Sequence, residues 1–316
     1  YNADGLLAWN EAAQKDKSIN CTLSADINMA GKEWTPIGTD ENNSYNGIFD
    51  GNGNTITGLT VNQSEKNYAG LFGCIGSGGT VKDVTLTKAR VTGGSNVGGV
   101  AGQNEGTVEN CSVDGTVTGT EYNTGGIVGI NYGTISGCKT EGTVTGNANV
   151  GGIAGNGAAN YDTGTGNLIG STIEGCHSTA AVSGSSTVGG VVGNLGNGCS
   201  LMACYSTGDV TATLTTGYAG GVMGANSRGT VTGCYHATGT VSGQGNVGGI
   251  VGFNSSGTFT ACYWSGSPGK DNGRTTEVTE GNWSEAMTAM NSALQSAGSE
   301  WRYELTGELP TLKKEE

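Results

Sequence analysis

The strongest constraint on the fold is a short block of glycine and β-branched residues that recurs through the middle of the chain. The block reads VGGVAG at Val97–Gly102, and its copies begin 26 to 38 residues apart. The other copies are Thr124–Gly129, Val150–Gly155, Val188–Gly193, Ala219–Gly224 and Val247–Gly252, with a degenerate copy at Ala69–Gly73. This period is typical of solenoids, in which each repeat packs against its neighbours. The longest interval holds a Gly-, Asn- and Thr-rich insertion at about 157–170, which we interpret as a loop.

Two further strand-like segments follow the glycine block in each repeat. One ends in cysteine, as in Gly106–Cys111, and the next reads GTVTG at Gly115–Gly119. Three short β-branched segments can each pair in parallel with their equivalents in the next repeat. We therefore predict an all-β fold, a parallel β-helix solenoid that is right-handed because parallel crossovers strongly prefer that hand. Seven or eight coils at ~4.8 Å each predict a rod of about 35–40 Å.

Composition excludes several classes of protein. The 316 residues include 61 Gly but only 3 Pro, so the glycine is not that of collagen. The formal net charge of -13 opposes binding to nucleic acid or to anionic lipid. No run of ~18 apolar residues exists, so we predict no membrane span in this sequence.

The repeats resemble the GLUG-motif family of bacterial surface and secreted proteins. The resemblance rests on the repeated pattern [VA]GG[IV]xG…N…GT[VI]xxC…GxVxG, with six copies in register, and on the stretch Leu23–Val61, which is similar to segments that precede such repeats. It implies a β-helical, usually non-enzymatic module of adhesin-like proteins, secreted or on the cell surface. Similar repeats occur beside the catalytic domain of some secreted immunoglobulin-cleaving metallopeptidases.

Both ends of an open β-helix need a cover, because unpaired strand edges promote aggregation. Leu6, Trp9 and Ala13 have helical spacing and predict an amphipathic helix over the first coil. Asn282 and Glu285 resemble a capping pair, which predicts a second helix near the other end. We expect one domain: a β-helix at 1–264, with GLUG repeats at about 69–264, and a C-terminal capping segment at 265–316.

Cysteine and asparagine each recur at one repeat position. We interpret the cysteines as a stack of small reduced thiols in the core. The six are Cys111, Cys138, Cys176, Cys204, Cys234 and Cys262. The asparagines predict a ladder of hydrogen-bonded amides along the stack. They are Asn104, Asn131, Asn156, Asn194, Asn226 and Asn254.

The sequence predicts no metal site and no cofactor. It contains no CxxC pair, and a linear stack of thiols does not present tetrahedral ligands to zinc. Asp50, Asn52 and Asn54 begin like a calcium loop, but Thr55 replaces the required Gly and Val61 the closing Glu.

Enzyme motifs are also missing, and we predict that the protein is not an enzyme. Neither HExxH, a G-x-S-x-G elbow nor a P-loop occurs. One pair of carboxylates is an alternative to a non-catalytic protein. Glu109 and Glu174 occupy similar repeat positions two coils apart, at a separation of ~9–10 Å. An inverting glycosidase tolerates that separation between its two carboxylates. His177 and His236 each follow a cysteine of the stack, but nothing nearby suggests a groove or an orienting group.

The candidate binding surface is a row of aromatic residues on the last three coils. Tyr205, Tyr235 and Tyr263 each follow a cysteine of the stack, and Trp264 adjoins the last. If the cysteines point inward, the tyrosines point outward and could stack on sugar rings. The alternative is that the tyrosines only stabilise the coils or point inward.

These observations predict a non-catalytic, secreted or cell-surface β-helix module that is adhesin-like and binds a host glycan, mucin or protein. Two alternatives remain at this stage. One is a polysaccharide lyase or glycosidase, and the other is a passive stalk within a larger surface protein.

Overall fold

The computed structural model describes residues 2–266, 275–279 and 281–315, and it shows a parallel β-solenoid of about nine turns. The predicted all-β, parallel β-helix fold is therefore confirmed, while its handedness stays a prediction. Each regular turn passes in order through four parallel sheets, here numbered 1 to 4. The count of seven or eight coils was too low, because the first strands of sheet 1 precede the glycine blocks.

Sheets 1 and 2 run the whole length of the solenoid. Sheet 1 contains Cys21–Thr22, Ile48–Asp50, Thr80–Lys82, Thr107–Glu109, Thr134–Ser136, Thr172–Glu174, Ser200–Met202, Thr230–Thr232 and Thr258–Thr260. Sheet 2 contains Ile27–Asn28, Thr55–Thr57, Thr60–Gln63, Thr85–Gly93, Ser112–Gly119, Lys139–Thr145, His177–Ser178, Ala181–Gly184, Tyr205–Ser206, Val210–Ala212, Tyr235–His236, Val241–Gly243, Tyr263–Trp264 and Thr276–Glu277.

Sheets 3 and 4 begin later and carry the glycine blocks. Sheet 3 contains Val97–Gly98, Tyr122–Gly125, Ala148–Gly151, Thr187–Gly189, Tyr218–Gly220 and Asn246–Gly248. Sheet 4 contains Phe72–Ile75, Ala101–Asn104, Val128–Asn131, Ala154–Gly157, Val192–Leu195, Met223–Ser227 and Val251–Ser255. Outside the solenoid sheets, Ala159–Tyr161 pairs with Leu168–Gly170, so the insertion predicted as a loop is an antiparallel hairpin.

The glycine blocks exist because sheets 3 and 4 approach each other closely in every turn. A Cβ atom at Gly98 would lie 2.5 Å from the Ile127 carbonyl oxygen and closer still to that of Ala101. Real Cβ atoms do not tolerate such contacts with backbone, which has no room to move. The repeated glycines are therefore a packing requirement of the corner between sheets 3 and 4.

The six cysteines stack in the core as predicted. The backbone N–H of Cys111 lies 3.4 Å from Cys138 Sγ, and that of Cys138 lies 3.4 Å from Cys176 Sγ. All nine cysteines of the chain are free thiols. Burial raises the pKa of the Cys111 and Cys262 thiols well above the ordinary value, so both stay protonated.

The single asparagine ladder was wrong, because two different positions are involved. Asn104 and Asn131 point inward and are bonded at 2.8 Å, but the register then places Gly157 and Leu195 in line with Asn131. Asn156 and Asn194 lie one residue earlier in their strands and form a separate pair, bonded at 3.0 Å. A shift of one residue moves a side chain to the opposite face of a strand.

Helix α1 (Ala3–Lys15) covers the N-terminal end of the solenoid. Asn2 caps the helix by accepting a hydrogen bond from the Gly5 backbone N–H at 2.9 Å. Trp9 packs against Phe49 at a ring distance of 5.3 Å and against Phe72 at 6.4 Å. The helix thus closes the aromatic core of the first turns.

Within the C-terminal segment, Thr276–Glu277 pairs with Tyr263–Trp264 of the last turn, whereas the rest of the described segment lies along one side of the solenoid. It contains helix α2 (Trp283–Ser296) and a hairpin of Trp301–Glu304 with Thr311–Lys314. Lys314 Nζ lies 3.8 Å from Glu109 Oε1, several turns before the last one. The expected Asn282 cap makes no side-chain hydrogen bond to α2. Residues 267–274 of the predicted capping segment lie outside the described residues.

Candidate functional site

The tyrosine row predicted as a binding surface lies under the C-terminal segment. Tyr205 and Tyr235 point away from the cysteine stack, and their rings stack at 4.7 Å with an angle of 4° between planes. Trp283 of α2 packs on Tyr235 at 4.8 Å, and Tyr303 Oη donates to the Gly233 carbonyl at 2.9 Å. Both row tyrosines are buried.

The prediction of an exposed aromatic surface is therefore wrong. Tyr263 is only half-buried, but its neighbour Trp264 points into the solenoid core and is 6% exposed. His177 rather than Tyr263 continues the stack, 4.8 Å from the Tyr205 ring. The sequence alternation correctly placed the tyrosines outside the coils, but it could not show that α2 and the C-terminal hairpin cover them.

The carboxylate pair weighed for catalysis lies beside the C-terminal hairpin. Glu109 aligns with Ser136, and Ser136 aligns with Glu174, so the two carboxylates lie two turns apart as expected. Lys314 Nζ stands 3.7 Å from Glu300 Oε2 and also contacts Glu109. Burial raises the pKa of Glu174, with Lys314 opposing the shift and Glu300 and Glu109 adding to it.

Because the pKa of Glu174 is raised, we predict that Glu174→Gln increases the free energy of unfolding by an amount that depends on pH. The folded state disfavours the charged carboxylate, so wild-type stability falls as pH rises above the ordinary glutamate range. Because Glu174 is half-exposed and Lys314 opposes the shift, we expect a gain of less than about 1 kcal/mol at pH 7. Urea denaturation at pH 7 and pH 4 tests this. The gain should vanish at pH 4, and a gain of equal size at both pH values would contradict the charge argument.

The two histidines are structural. Burial lowers the pKa of His177 to about 4, so its ring is neutral at pH 7. His236 is fully buried; its Nε2–H donates to the Gly239 carbonyl at 3.0 Å, and its Nδ1 lies 2.8 Å from Ser206 Oγ, whose hydroxyl donates to the Gly221 carbonyl. This Ser–His pair is in the core, where no substrate can reach it.

The calcium-like stretch forms a turn held by its own side chains. Asp50 Oδ1 accepts from the Asn52 backbone N–H at 2.7 Å, and its other oxygen lies 3.2 Å from Lys82 Nζ. Asn54 Nδ2 donates to the Gly51 and Leu23 carbonyls. Across the described ranges, no three His, Cys, Asp or Glu side chains are grouped so that they could hold a metal ion.

An open cleft of about 390 Å³ lies near the N-terminal end of the solenoid. The C-terminal part of α1, the loop after Trp34 and the loop between sheets 2 and 3 line it. The lining residues are Gln14, Thr35, Pro36, Gly38, Thr39, Gln63, Lys66, Asn67 and Tyr68. The lining combines one aromatic ring with amides, hydroxyls and the Lys66 ammonium, and the ring, amides and hydroxyls are groups that can contact a hydroxyl-rich ligand.

The cleft is held open by a fixed backbone. Gln14 Nε2 donates to the Thr35 and Pro36 carbonyls at 3.3 and 3.0 Å, which ties α1 to the cleft wall. Asn67 Oδ1 accepts from the Ser95 backbone N–H at 3.0 Å. Tyr68 adopts φ 63°, a left-handed conformation that is rare and costly for tyrosine. Asn96, Asn123 and Asn149 have the same left-handed backbone at the equivalent positions of the next turns, so the conformation belongs to this point of the turn, and Tyr68 is the copy with an aromatic ring.

Two columns of side chains continue from Tyr68 along the corner between sheets 3 and 4, here called the amide corner. The sheet 3 column is Asn96, Asn123, Asn149, Thr187, Tyr218 and Asn246, and the sheet 4 column is Gln103, Ile130, Asn156, Asn194, Ala225 and Phe253. Asn123 Nδ2 donates to Asn96 Oδ1 at 2.8 Å, and Asn149 Nδ2 to Asn123 Oδ1 at 3.0 Å. At the far end the Tyr218 and Phe253 rings stack at 4.9 Å.

Sequence reasoning missed both the cleft and the amide corner. The cleft residues belong to segments without the repeat pattern, so no periodic signal marked them. The sheet 3 amides did leave a signal, since NVGG occurs at Asn96–Gly99, Asn149–Gly152 and Asn246–Gly249.

Three regular turns of the solenoid each coincide with one copy of a known motif. The family profile described as "The GLUG motif" matches residues 93–118, 120–145 and 184–211. The chain carries GLUG motifs. A GLUG motif here is one turn, starting at the end of one sheet 2 strand and running through sheets 3, 4 and 1 to the next sheet 2 strand. The resemblance inferred from the sequence is thus confirmed.

Two curated proteins share GLUG-region sequence with the chain. Halomucin of Haloquadratum walsbyi is 36% identical over 119 residues, which are 35% of this chain and 1% of that protein. A protein of Evansella cellulosilytica with the provisional name Gly-rich membrane protein is 40% identical over 95 residues, 29% of this chain and 11% of its own. The chain therefore spans only a small part of either relative.

A solved structure confirms the fold over almost the whole chain. It is a Bacteroides ovatus protein provisionally named immunoglobulin A1 protease, with a TM-score of 0.58, 21% sequence identity, and coverage of 95% of this chain and 87% of its own. At this identity the likeness concerns the solenoid and not its activity. In the described residues, neither helix has the length and apolar character needed to cross a bilayer.

Proposed function

We propose that the protein is a non-catalytic, adhesin-like module at or outside the cell surface, and that it binds glycan through the N-terminal cleft. The observation that carries the proposal is Tyr68, a half-buried aromatic residue that shares the cleft with amides, hydroxyls and the Lys66 ammonium. Aromatic faces pack on sugar rings, while amide side chains both donate to and accept from sugar hydroxyls. The names of the two sequence relatives, a halomucin and a membrane protein, support a surface location.

The proposal of a non-catalytic role rests on what surrounds the candidate acid–base groups. A glycosidase needs two carboxylates that flank an accessible sugar ring. Glu109 instead pairs with Lys314 of the C-terminal hairpin, and Glu174 is half-buried beside the same hairpin. The Ser206–His236 pair is enclosed in the core.

Replacing Tyr68 tests the cleft directly. Tyr68→Asn keeps a residue that tolerates the left-handed backbone but removes the aromatic ring. We expect binding to mucin and to a neutral glycan array to weaken about three- to tenfold, which is the value of one aromatic contact. Tyr161→Asn is the matched control, since Tyr161 is 72% exposed on the distant hairpin.

The same two variants can also contradict the proposed glycan binding by the cleft. If wild type, Tyr68→Asn and Tyr161→Asn bind glycans equally well, the site is not the cleft. If none of them binds any glycan or mucin, the glycan-binding function itself is overturned, and the solenoid is better explained as a stalk.

A further inference from the structure

The amide corner continues the cleft without interruption. Tyr68 lines the cleft and stands at the sheet 3 position that precedes Asn96, because Ala69 pairs with Val97 in the next turn. From Tyr68 the same position advances one turn at a time through Asn96, Asn123 and Asn149 to Thr187 and Tyr218. Those five steps of ~4.8 Å place the two aromatic ends about 24 Å apart.

Neither column contains a charged side chain, although the chain carries a net charge of -13 and Gln103 Nε2 donates to the Glu105 carboxylate at 2.9 Å. Every residue in the two columns is an amide, a hydroxyl, an aromatic or an aliphatic side chain. Gln103 is buried, whereas the asparagines Asn96, Asn123, Asn149, Asn156 and Asn194 are half-buried. Each can form more hydrogen bonds than the one or two that it makes along the ladder. Charge complementarity therefore favours a neutral ligand that is rich in hydroxyl groups.

The far end of the corner repeats the chemistry of the cleft. Tyr218 of sheet 3 and Phe253 of sheet 4 stack across the corner, and Phe253 is 40% exposed. Nearby, Ser227 Oγ donates to Asn194 Oδ1 at 3.2 Å, so hydroxyl and amide groups again surround an aromatic face. An exposed stacked pair of this kind offers a second ring-binding position.

We propose that the amide corner binds one extended, neutral oligosaccharide of about five sugar residues, held at its ends by Tyr68 and by the Tyr218–Phe253 pair. This inference rests on the proposed glycan-binding function and specifies its ligand as a chain, not a single terminal sugar. The rise of a sugar residue in an extended chain is comparable with the strand spacing of ~4.8 Å, so successive sugars meet equivalent amides. The number of turns along the corner therefore determines the length of oligosaccharide that it binds best.

The test is a length series measured by calorimetry on the intact chain. The probes are β-1,4-linked glucose, β-1,4-linked N-acetylglucosamine and α-1,4-linked glucose oligosaccharides of one to six residues. In at least one series, we expect affinity to rise up to about five residues and then to level off. Phe253→Ala should lower affinity for the five-residue ligand about three- to tenfold and leave the two-residue ligand unaffected. Phe253→Tyr, which keeps the ring, should restore the wild-type value.

The outcomes separate this inference from the proposed function. Affinity that depends on Tyr68 but not on ligand length, or that Phe253→Ala leaves unchanged for every length, overturns the extended site and leaves the cleft in place. A complete lack of binding to the three series also overturns the extended site, and mucin binding that is sensitive to Tyr68→Asn would still support the cleft. Thermal denaturation of each variant shows that the change in binding is not a loss of fold.

Discussion

Gly98→Ala is expected to destabilise the solenoid by more than about 3 kcal/mol. Its new methyl group would lie 2.5 Å from the Ile127 carbonyl oxygen and 2.7 Å from the Val128 Cα. Both obstacles are backbone of the neighbouring turn, so no side-chain rotation relieves the contact. Folded domains are typically stable by only about 5–15 kcal/mol, so this loss is a large fraction of the total. Urea denaturation and soluble yield measure the effect.

Gly307→Ala is the matched control for that substitution. Gly307 lies in the connection of the C-terminal hairpin, and a Cβ there would meet nothing within 4 Å. We expect its stability to stay within about 0.5 kcal/mol of wild type. If Gly98→Ala and Gly307→Ala unfold at the same urea concentration, close packing of sheets 3 and 4 is not the reason for the repeated glycines.

Tyr235→Ala is the second substitution for which we expect a large effect, a decrease of about 3–5 kcal/mol in the free energy of unfolding. Tyr235 is completely buried between Tyr205 and Trp283, and its hydroxyl donates to the Pro310 carbonyl. Its removal leaves a cavity under α2 and an unpaired carbonyl in the hairpin. We expect a lower unfolding midpoint together with faster proteolysis within residues 283–315, measured by limited digestion and mass spectrometry.

Tyr161→Ala provides the control, because this tyrosine is 72% exposed on the antiparallel hairpin. Its unfolding midpoint should match wild type. Equal protease sensitivity of the C-terminal segment in Tyr235→Ala and in wild type would show that the tyrosine row does not anchor that segment.

The repeat pattern was sufficient to predict the solenoid because its signals are local and are repeated in each turn. A cysteine at a constant position must stack when the turns align, and the structure shows that stack. The same reasoning was wrong for the asparagines, because Asn156 and Asn194 lie one residue out of register with Asn131. A difference of one residue in spacing places a side chain on the opposite face of its strand. Insertions between repeats make that register difficult to read from the sequence.

The site could not be predicted in the same way, because it depends on contacts between distant segments. Alternation correctly turned Tyr205 and Tyr235 away from the core, but their cover comes from Trp283 and Tyr303, which carry no repeat signal. The cleft likewise joins Gln14 of α1 to Tyr68, two residues far apart in sequence. Composition and periodicity contain no information about such pairings.

The C-terminal segment also changes how the solenoid unfolds. A simple repeat array loses its turns one after another, because each turn contacts only its neighbours. Here Tyr303 reaches the carbonyls of Cys204 and Gly233, and Lys314 reaches Glu109. The turns between Glu109 and Tyr263 therefore share one common partner, so that fraying of any one of them weakens the attachment of the rest. Unlike a bare array of repeats, this stretch is expected to unfold as a single cooperative unit, because the C-terminal helix and hairpin connect its turns.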